Sequence, residues 1–175
     1  MKFILSAASL VAATMFATAA SADITVKVYR TAEKGQGEAI GTIRFLDGKD
    51  GLEVHPRLKG LPPGPHGFHI HENGSCAAKA NPQGQMTLGL AAGGHYDPGK
   101  TGKHTGPHDK AGHLGDLPVL IVKDDGTASG KIVAPRLKLA DIKKRSVMIH
   151  AGGDNYSDQP AALGGGGGRI ACAVF

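Results

Sequence analysis

The stretch from His66 to Asp116 constrains this chain more than any other. It holds His66, His69, His71, His95, His104, His108, His113 and Asp116, so seven of the nine histidines fall in one window. His69 and His71 are two apart. If Gly67 to His71 is a strand, both rings project from one face. The rest of the window follows neither a helical nor a strand period. It carries Gly93, Gly94, Gly99, Gly102, Gly106, Gly112 and Gly115, with Pro98 and Pro107 among them. A loop that long is uncommon inside a compact domain. A bound metal resolves the conflict, because ligation supplies the ordering energy that an apolar core otherwise supplies.

The flanking sequence reads as short strands. Ile24, Val26 and Val28 alternate with Thr25, Lys27 and Tyr29, the period of a half-buried strand. Ile40 to Phe45 is a second strand, followed by a turn signal at Asp47-Gly48. Gly51 to His55 is a third, stopped by Pro56, and Gly67 to His71 a fourth. After the loop come Leu117 to Val122, Thr127 to Ala134, Ser146 to His150 and Ile170 to Val174. Only Leu137 to Lys144 has helical character. Eight short strands punctuated by Gly and Pro indicate an antiparallel sandwich or barrel. Gly164 to Gly168 is a run of five glycines, either a flexible linker or a backbone that passes close to something.

Lys2, an apolar and alanine-rich run through Ala20, and Ala20-Ser21-Ala22 have the form of an export signal cleaved after Ala22. The run is weakly apolar and lacks a stop-transfer pattern, which argues against a membrane anchor. No Cys follows the cleavage position, so nothing suggests a lipid anchor. Residues 1–22 are then a leader and 23–175 one domain. Cys76 and Cys172 are the two cysteines. In an exported chain an even count reads as a disulfide, the alternative being two buried thiols. The net charge of +5 falls by one when Lys2 leaves. Lys and Arg are scattered, for instance in Lys143-Lys144-Arg145, and with three Tyr and five Phe there is little to stack on bases. A nucleic-acid role is disfavoured.

The candidate ligands are imidazoles and a carboxylate. Imidazole suits zinc and copper, and thiol-poor nitrogen sites suit Cu(II). Three His and one Asp fit a closed tetrahedral zinc shell. The window and His150 together exceed what one metal needs. Two metals are consistent with the spacing, which does not pair ligands with metals.

At Gly67-Phe68-His69-Ile70-His71, Gly93-Gly94-His95-Tyr96-Asp97-Pro98, Gly102-Lys103-His104-Thr105-Gly106-Pro107, Gly112-His113-Leu114-Gly115-Asp116-Leu117, Met148-Ile149-His150-Ala151-Gly152-Gly153-Asp154-Asn155 and Gly164 to Cys172, the chain resembles the bacterial periplasmic copper/zinc superoxide dismutases. The resemblance covers nearly all of residues 23–175. It implies an all-β, eight-stranded antiparallel Greek-key barrel or sandwich of immunoglobulin-like type. A long metal-binding loop and a long C-terminal active-site loop complete it. This enzyme is itself a known instance of sandwich architecture.

By the same resemblance, His69, His71, His95 and His150 hold copper. His95 bridges to a zinc completed by His104, His113 and Asp116, and imidazole alone among side chains has two ring nitrogens for such a bridge. Asp154 matches the carboxylate that links His69 to His104 and orients both rings. Cys76 and Cys172 match the family disulfide. Arg169 matches the arginine beside copper that meets the anion. The implied reaction has two halves. One superoxide reduces Cu(II) and leaves as dioxygen, while His95 parts from copper and takes a proton. A second superoxide reoxidises copper and leaves as hydrogen peroxide. The implied state is monomer or homodimer in the periplasm, with no stable membrane association.

Other residues and other classes complete the reading. His66 is expected to pack and hydrogen-bond near the copper strand, His55 to end a strand, and His108 to lie on an exposed loop. Asp97, Asp141 and Asp158 read as turn or surface residues. Gln85 lies near where bacterial relatives often carry a lysine at the active-site mouth. A non-catalytic periplasmic copper-binding or copper-delivery protein would use the same histidines, but has no need of Arg169 or of a zinc site. A zinc hydrolase needs an open zinc position and a general base. The zinc set here is full, and no HExxH-type sequence occurs.

Overall fold

A computed structural model describes residues 23–175, and the expected leader over 1–22 lies outside them. Strand β1 (Asp23–Arg30) buries Val26 and Val28 and exposes Thr25 and Lys27, as their alternation requires. It pairs with β2 (Ala39–Gly48), which pairs with β3 (Gly51–Leu58). Both strands outrun the sequence expectation. The turn falls at Lys49-Asp50, and β3 continues through Pro56. Pro56 sits between the β3 residues that pair with β10 (Ile132–Ala134) and those that pair with β9 (Ala128–Ser129). Its missing amide therefore costs no ladder hydrogen bond on that edge. The strand expected over Thr127 to Ala134 divides into β9 and β10 at Gly130, where φ is 109°.

Next come β4 (Gly64–His66), β5 (Phe68–His71), the hairpin β6 (Lys79–Ala80) and β7 (Met86–Thr87), and β8 (Leu120–Val122). β8 is shorter than expected because Pro118 has no amide to donate and the Val119 amide donates to the Tyr156 hydroxyl instead. Helix α1 is one turn, Leu139–Ile142, its entry held by the Asp141 carboxylate accepting from the Lys138 amide. β11 (Ser146–His150) and β12 (Arg169–Val174) end the chain.

The main sheet runs β10-β3-β2-β1-β12-β11-β5, with β9 also on β3, and all its pairs are antiparallel. β4 pairs with β8 outside it. The sheet curls, so that Ile43, Phe45, Leu52, Phe68, Ile70, Leu117, Leu120 and Ile149 meet in one core. Each such side chain contributes roughly 1.5–3 kcal/mol on burial. The inner residues of β5, Phe68 and Ile70, belong to that core, which leaves His69 and His71 on its other face.

The far edge of β5 positions the loop. β11 occupies one edge. On the other, the Tyr96 amide donates to Ile70 O at 2.8 Å and the Ile70 amide to Gly115 O at 2.9 Å. Single bridges pair His71 with His95 and His69 with Asp116. Both limbs of the irregular loop are thus stitched to the strand that carries the paired histidines. Cys76 and Cys172 form a disulfide with Cα atoms 5.8 Å apart, tying the chain after β5 to β12.

Candidate metal centre

His69 and His71 come from β5, His150 from the end of β11, and His95, His104, His113 and Asp116 from the loop. All seven are buried. Ligating atoms of His69, His71, His95 and His150 lie within 4.8 Å of one another, as do those of His69, His95, His104 and Asp116. The second group holds His69 where the sequence reading has His113. His113 Nδ1 stands 3.5 Å from Asp116 Oδ1, the oxygen that His95 Nδ1 also meets.

Hydrogen bonds orient the rings of both groups. The Asp154 carboxylate takes His69 Nε2 and His104 Nε2, each at 2.7 Å. His71 Nδ1 donates to Gly93 O at 3.0 Å, and His150 Nδ1 lies 3.2 Å from Gly167 O. His95 Nδ1 donates to Asp116 Oδ1 at 2.9 Å. Each of these rings therefore has one nitrogen committed to the protein. The other nitrogen points into the cluster. His69 Nδ1 and His95 Nε2 are buried without a hydrogen-bond partner, His104 Nδ1 and His113 Nδ1 face the Asp116 carboxylate at 3.0 and 3.5 Å, and His71 Nε2 and His150 Nε2 approach to 3.4 Å. Buried polar atoms are ordinarily satisfied, so buried nitrogens gathered in two groups, two of them without any partner, fit nitrogen-ligated cations. The donors fit the chemistry too, being imidazoles plus one carboxylate.

The titration states divide the same way. Burial holds His69 and His71 well below the ordinary imidazole range, and the neighbouring His95 adds to the effect. Burial lowers His95 as well, against the pull of Asp116. His150 is pushed down to about 4, chiefly by burial. At His104 burial also works downward, but the Asp116 and Asp154 carboxylates outweigh it and lift the ring to about 9. Burial works to raise Asp116, yet His104, His113 and His95 hold it far below the usual carboxylate range. Asp154 is likewise held low, by His104 and His69. One half of the cluster thus offers neutral rings with free lone pairs. The other offers ionised carboxylate and a proton that a cation can displace.

The family model for copper/zinc superoxide dismutase (SODC) matches residues 39–175. The chain belongs to the copper/zinc superoxide dismutase family. It is 49% identical to "Superoxide dismutase [Cu-Zn]" of Escherichia coli (strain K12) over 99% of this chain and 98% of the relative. Among solved structures, the Cu/Zn superoxide dismutase from Brucella abortus superposes with a TM-score of 0.84 at 51% identity, covering 87% of this chain and 99% of that one. The monomeric copper, zinc superoxide dismutase from Salmonella enterica superposes with a TM-score of 0.77 at 52% identity, with the same coverage. The expected fold and cofactors, one copper and one zinc, stand, and the enzyme is an oxidoreductase of the Cu/Zn type.

Arg169 lies beside the enzyme's four-histidine group. Its Nη1 and Nη2 donate to Gly89 O and Gly93 O, each at 2.7 Å. Gly93 O also accepts from His71, so one carbonyl couples the arginine to a ring of the group. The glycine run packs against the centre. At Gly164, with φ at 72°, an added Cβ would strike the Asp154 carboxylate, and at Gly166 it would press on His150. Gly167 and Gly168 face open space. A surface cleft of about 390 Å³ behind the loop, lined by Asp97, Thr101, Lys110, Leu114 and Arg136 among others, contains none of the histidines.

His66 is structural as expected, its ring nitrogens 2.7 Å from His150 O and 2.8 Å from Pro62 O. His108 is exposed. Asp158 is more than the turn residue expected. Its carboxylate accepts from the His104 amide at 2.9 Å and the Leu163 amide at 3.1 Å, joining the metal loop to the C-terminal loop. Sequence reading also passed over Tyr156, whose ring covers Gly106, and Arg136, which grips the loop from outside. Neither has a motif around it.

Proposed function

We propose that the site is divided as the committed nitrogens divide it. Copper would be held by His69, His71, His95 and His150, and zinc by His95, His104, His113 and Asp116, each ring offering the nitrogen it does not commit to Asp154, Gly93 or Gly167. The observation that carries this reading is His95. Its Nδ1 meets Asp116 while its Nε2 is buried and partnerless on the opposite side. When bound, copper supplies the one-electron couple that dismutation needs, and zinc supplies fixed charge without redox.

The chain's own groups do the rest. Two superoxide anions and two protons become one dioxygen and one hydrogen peroxide. Arg169 attracts and orients the anion with the guanidinium edge that Gly89 and Gly93 leave free. His95 carries one of the two protons at Nε2 and hands it to the departing peroxide. Asp154 keeps His69 and His104 from rotating, so both present Nδ1. A non-catalytic copper carrier has no use for a guanidinium fixed by two carbonyls beside the histidines.

Export completes the proposal. A leader over 1–22 cleaved after Ala22 delivers residues 23–175, as one domain, to an oxidising compartment, the periplasm. The disulfide fits that compartment. No helix among the described residues is long and apolar enough to cross a membrane. The similar Salmonella enterica structure is of a monomer, which supports the monomeric alternative here.

Elemental analysis with a superoxide-decay assay tests the ligand assignment. His95→Ala should perturb both metals at once. His113→Ala should release zinc and leave copper bound. Undisturbed zinc binding in His95→Ala would refute the bridge.

A further inference from the structure

The loop between His104 and Asp116 brings three zinc donors together with little apolar packing of its own. Gly106, Pro107, Gly112 and His113 are nevertheless buried, while 108–111 are exposed. Buried carbonyls need donors. All four of these carbonyls are served by one side chain. Arg136 Nε donates to Pro107 O at 2.9 Å, and Nη1 to Gly112 O at 3.2 Å. Nη2 donates to Gly106 O at 3.1 Å and also to His113 O. No carboxylate pairs with this guanidinium among the described residues.

The four carbonyls lie on opposite limbs of the loop. Gly106 and Pro107 precede the exposed tip, and Gly112 and His113 follow it. The planar fork of an arginine reaches both limbs at once, which a lysine ammonium does not. Two of the contacts lead directly to donors. His113 gives Arg136 its carbonyl while its ring faces Asp116. Gly106 gives Arg136 its carbonyl while its amide donates to Asp116 Oδ2 at 3.3 Å. Arg136 itself follows β10, whose Ala134 is in register with Leu52 of β3. The sheet thus reaches through one guanidinium to the backbone of His113 and, through Gly106, to the carboxylate of Asp116.

We infer that Arg136 is the positioning residue of the zinc half of the centre: it sets the spacing of His113 and Asp116, and through it the affinity and geometry of the metal bound there. The inference rests on the ligand assignment above. Residues that orient metal ligands typically change affinity by roughly 10–100-fold when removed, and that is the loss expected here.

Cobalt(II) is the probe, because its visible absorption reports coordination geometry. Metal-free, disulfide-intact protein is titrated with cobalt(II) alone, and zinc affinity is measured by competition with a chelator. The variants are Arg136→Met, Arg136→Lys and, as control, His113→Ala. Arg136→Met should weaken zinc binding by about 10–100-fold and alter the cobalt spectrum, with copper(II) affinity unchanged. Arg136→Lys should fall between it and the wild type. A lowered melting temperature with unchanged cobalt spectrum and zinc affinity would show that Arg136 only stabilises the fold, overturning the inference. If His113→Ala retains the wild-type cobalt spectrum and affinity, the ligand assignment itself fails. If Arg136→Met does not fold, Arg136→Lys decides alone: wild-type affinity and spectrum in that variant overturn the inference.

Discussion

At the scale of a residue, Arg169 shows how much position adds to charge. Superoxide dismutase is itself an established example of electrostatic steering and of diffusion-limited turnover, so steering as such is expected. What this structure specifies is the anchoring. Two guanidinium nitrogens are spent on Gly89 O and Gly93 O, and burial lowers the Arg169 pKa from its ordinary value, while the group stays charged at any working pH. Arg169→Lys keeps the charge and loses the fork, so its rate should be intermediate. Arg169→Ala should lose about tenfold and Arg169→Glu more, with copper content unchanged. Raising salt should slow the wild type, as the screening length falls from about 10 Å at 0.1 M to roughly 3 Å at 1 M. The salt dependence should flatten in Arg169→Ala. Equal pulse-radiolysis rates for all four proteins at equal copper loading would reduce Arg169 to a structural arginine.

At the scale of an element, β5 and its flanking loop explain what could be read in advance. His69 and His71 were legible because strand period puts them on one face, and the loop because no period accommodates its glycines. Pairing donors with metals was not legible from spacing. The pairing proposed above rests on which nitrogen each ring commits to Asp154, Gly93, Gly167 or Asp116, and those contacts join residues up to 85 positions apart. Arg136 and Asp158 were invisible for the same reason, since their partners are backbone atoms of a distant loop. The strand ends moved where proline or glycine met a sheet edge, as at Pro56 and Gly130. The disulfide acts at this scale too. It closes a loop of 96 residues, a cross-link that contributes roughly 2–4 kcal/mol. Cys172 lies three residues beyond Arg169 on β12, so Cys76→Ser should lower the melting temperature and also reduce activity per bound copper. Unchanged activity per copper would show that β12 holds Arg169 without the bridge.

At the scale of the whole molecule, the centre makes folding of the metal-free chain depend on pH in two opposite ways. His69, His71, His95 and His150 are buried neutral, with folded pKa values below the unfolded value of about 6.5. As pH falls below about 6.5 the unfolded chain binds protons that the folded chain refuses, and stability is lost by linkage. Asp116 and Asp154, held low in the fold, extend that loss as pH falls further. His104 works the other way. Its folded pKa is raised to about 9, so its contribution is fully present below the unfolded value and disappears as pH rises through about 9. Stability of the metal-free, disulfide-intact protein should therefore peak near pH 6.5, with a steep acid limb and a shallow alkaline one. Denaturant midpoints between pH 4.5 and 9.5 measure it. His104→Gln should remove the alkaline limb and leave most of the acid limb, and zinc should do the same, because zinc displaces the proton that His104 holds. Metal-free protein whose stability stays level or rises between pH 6.5 and 9 would contradict a protonated His104 between Asp116 and Asp154.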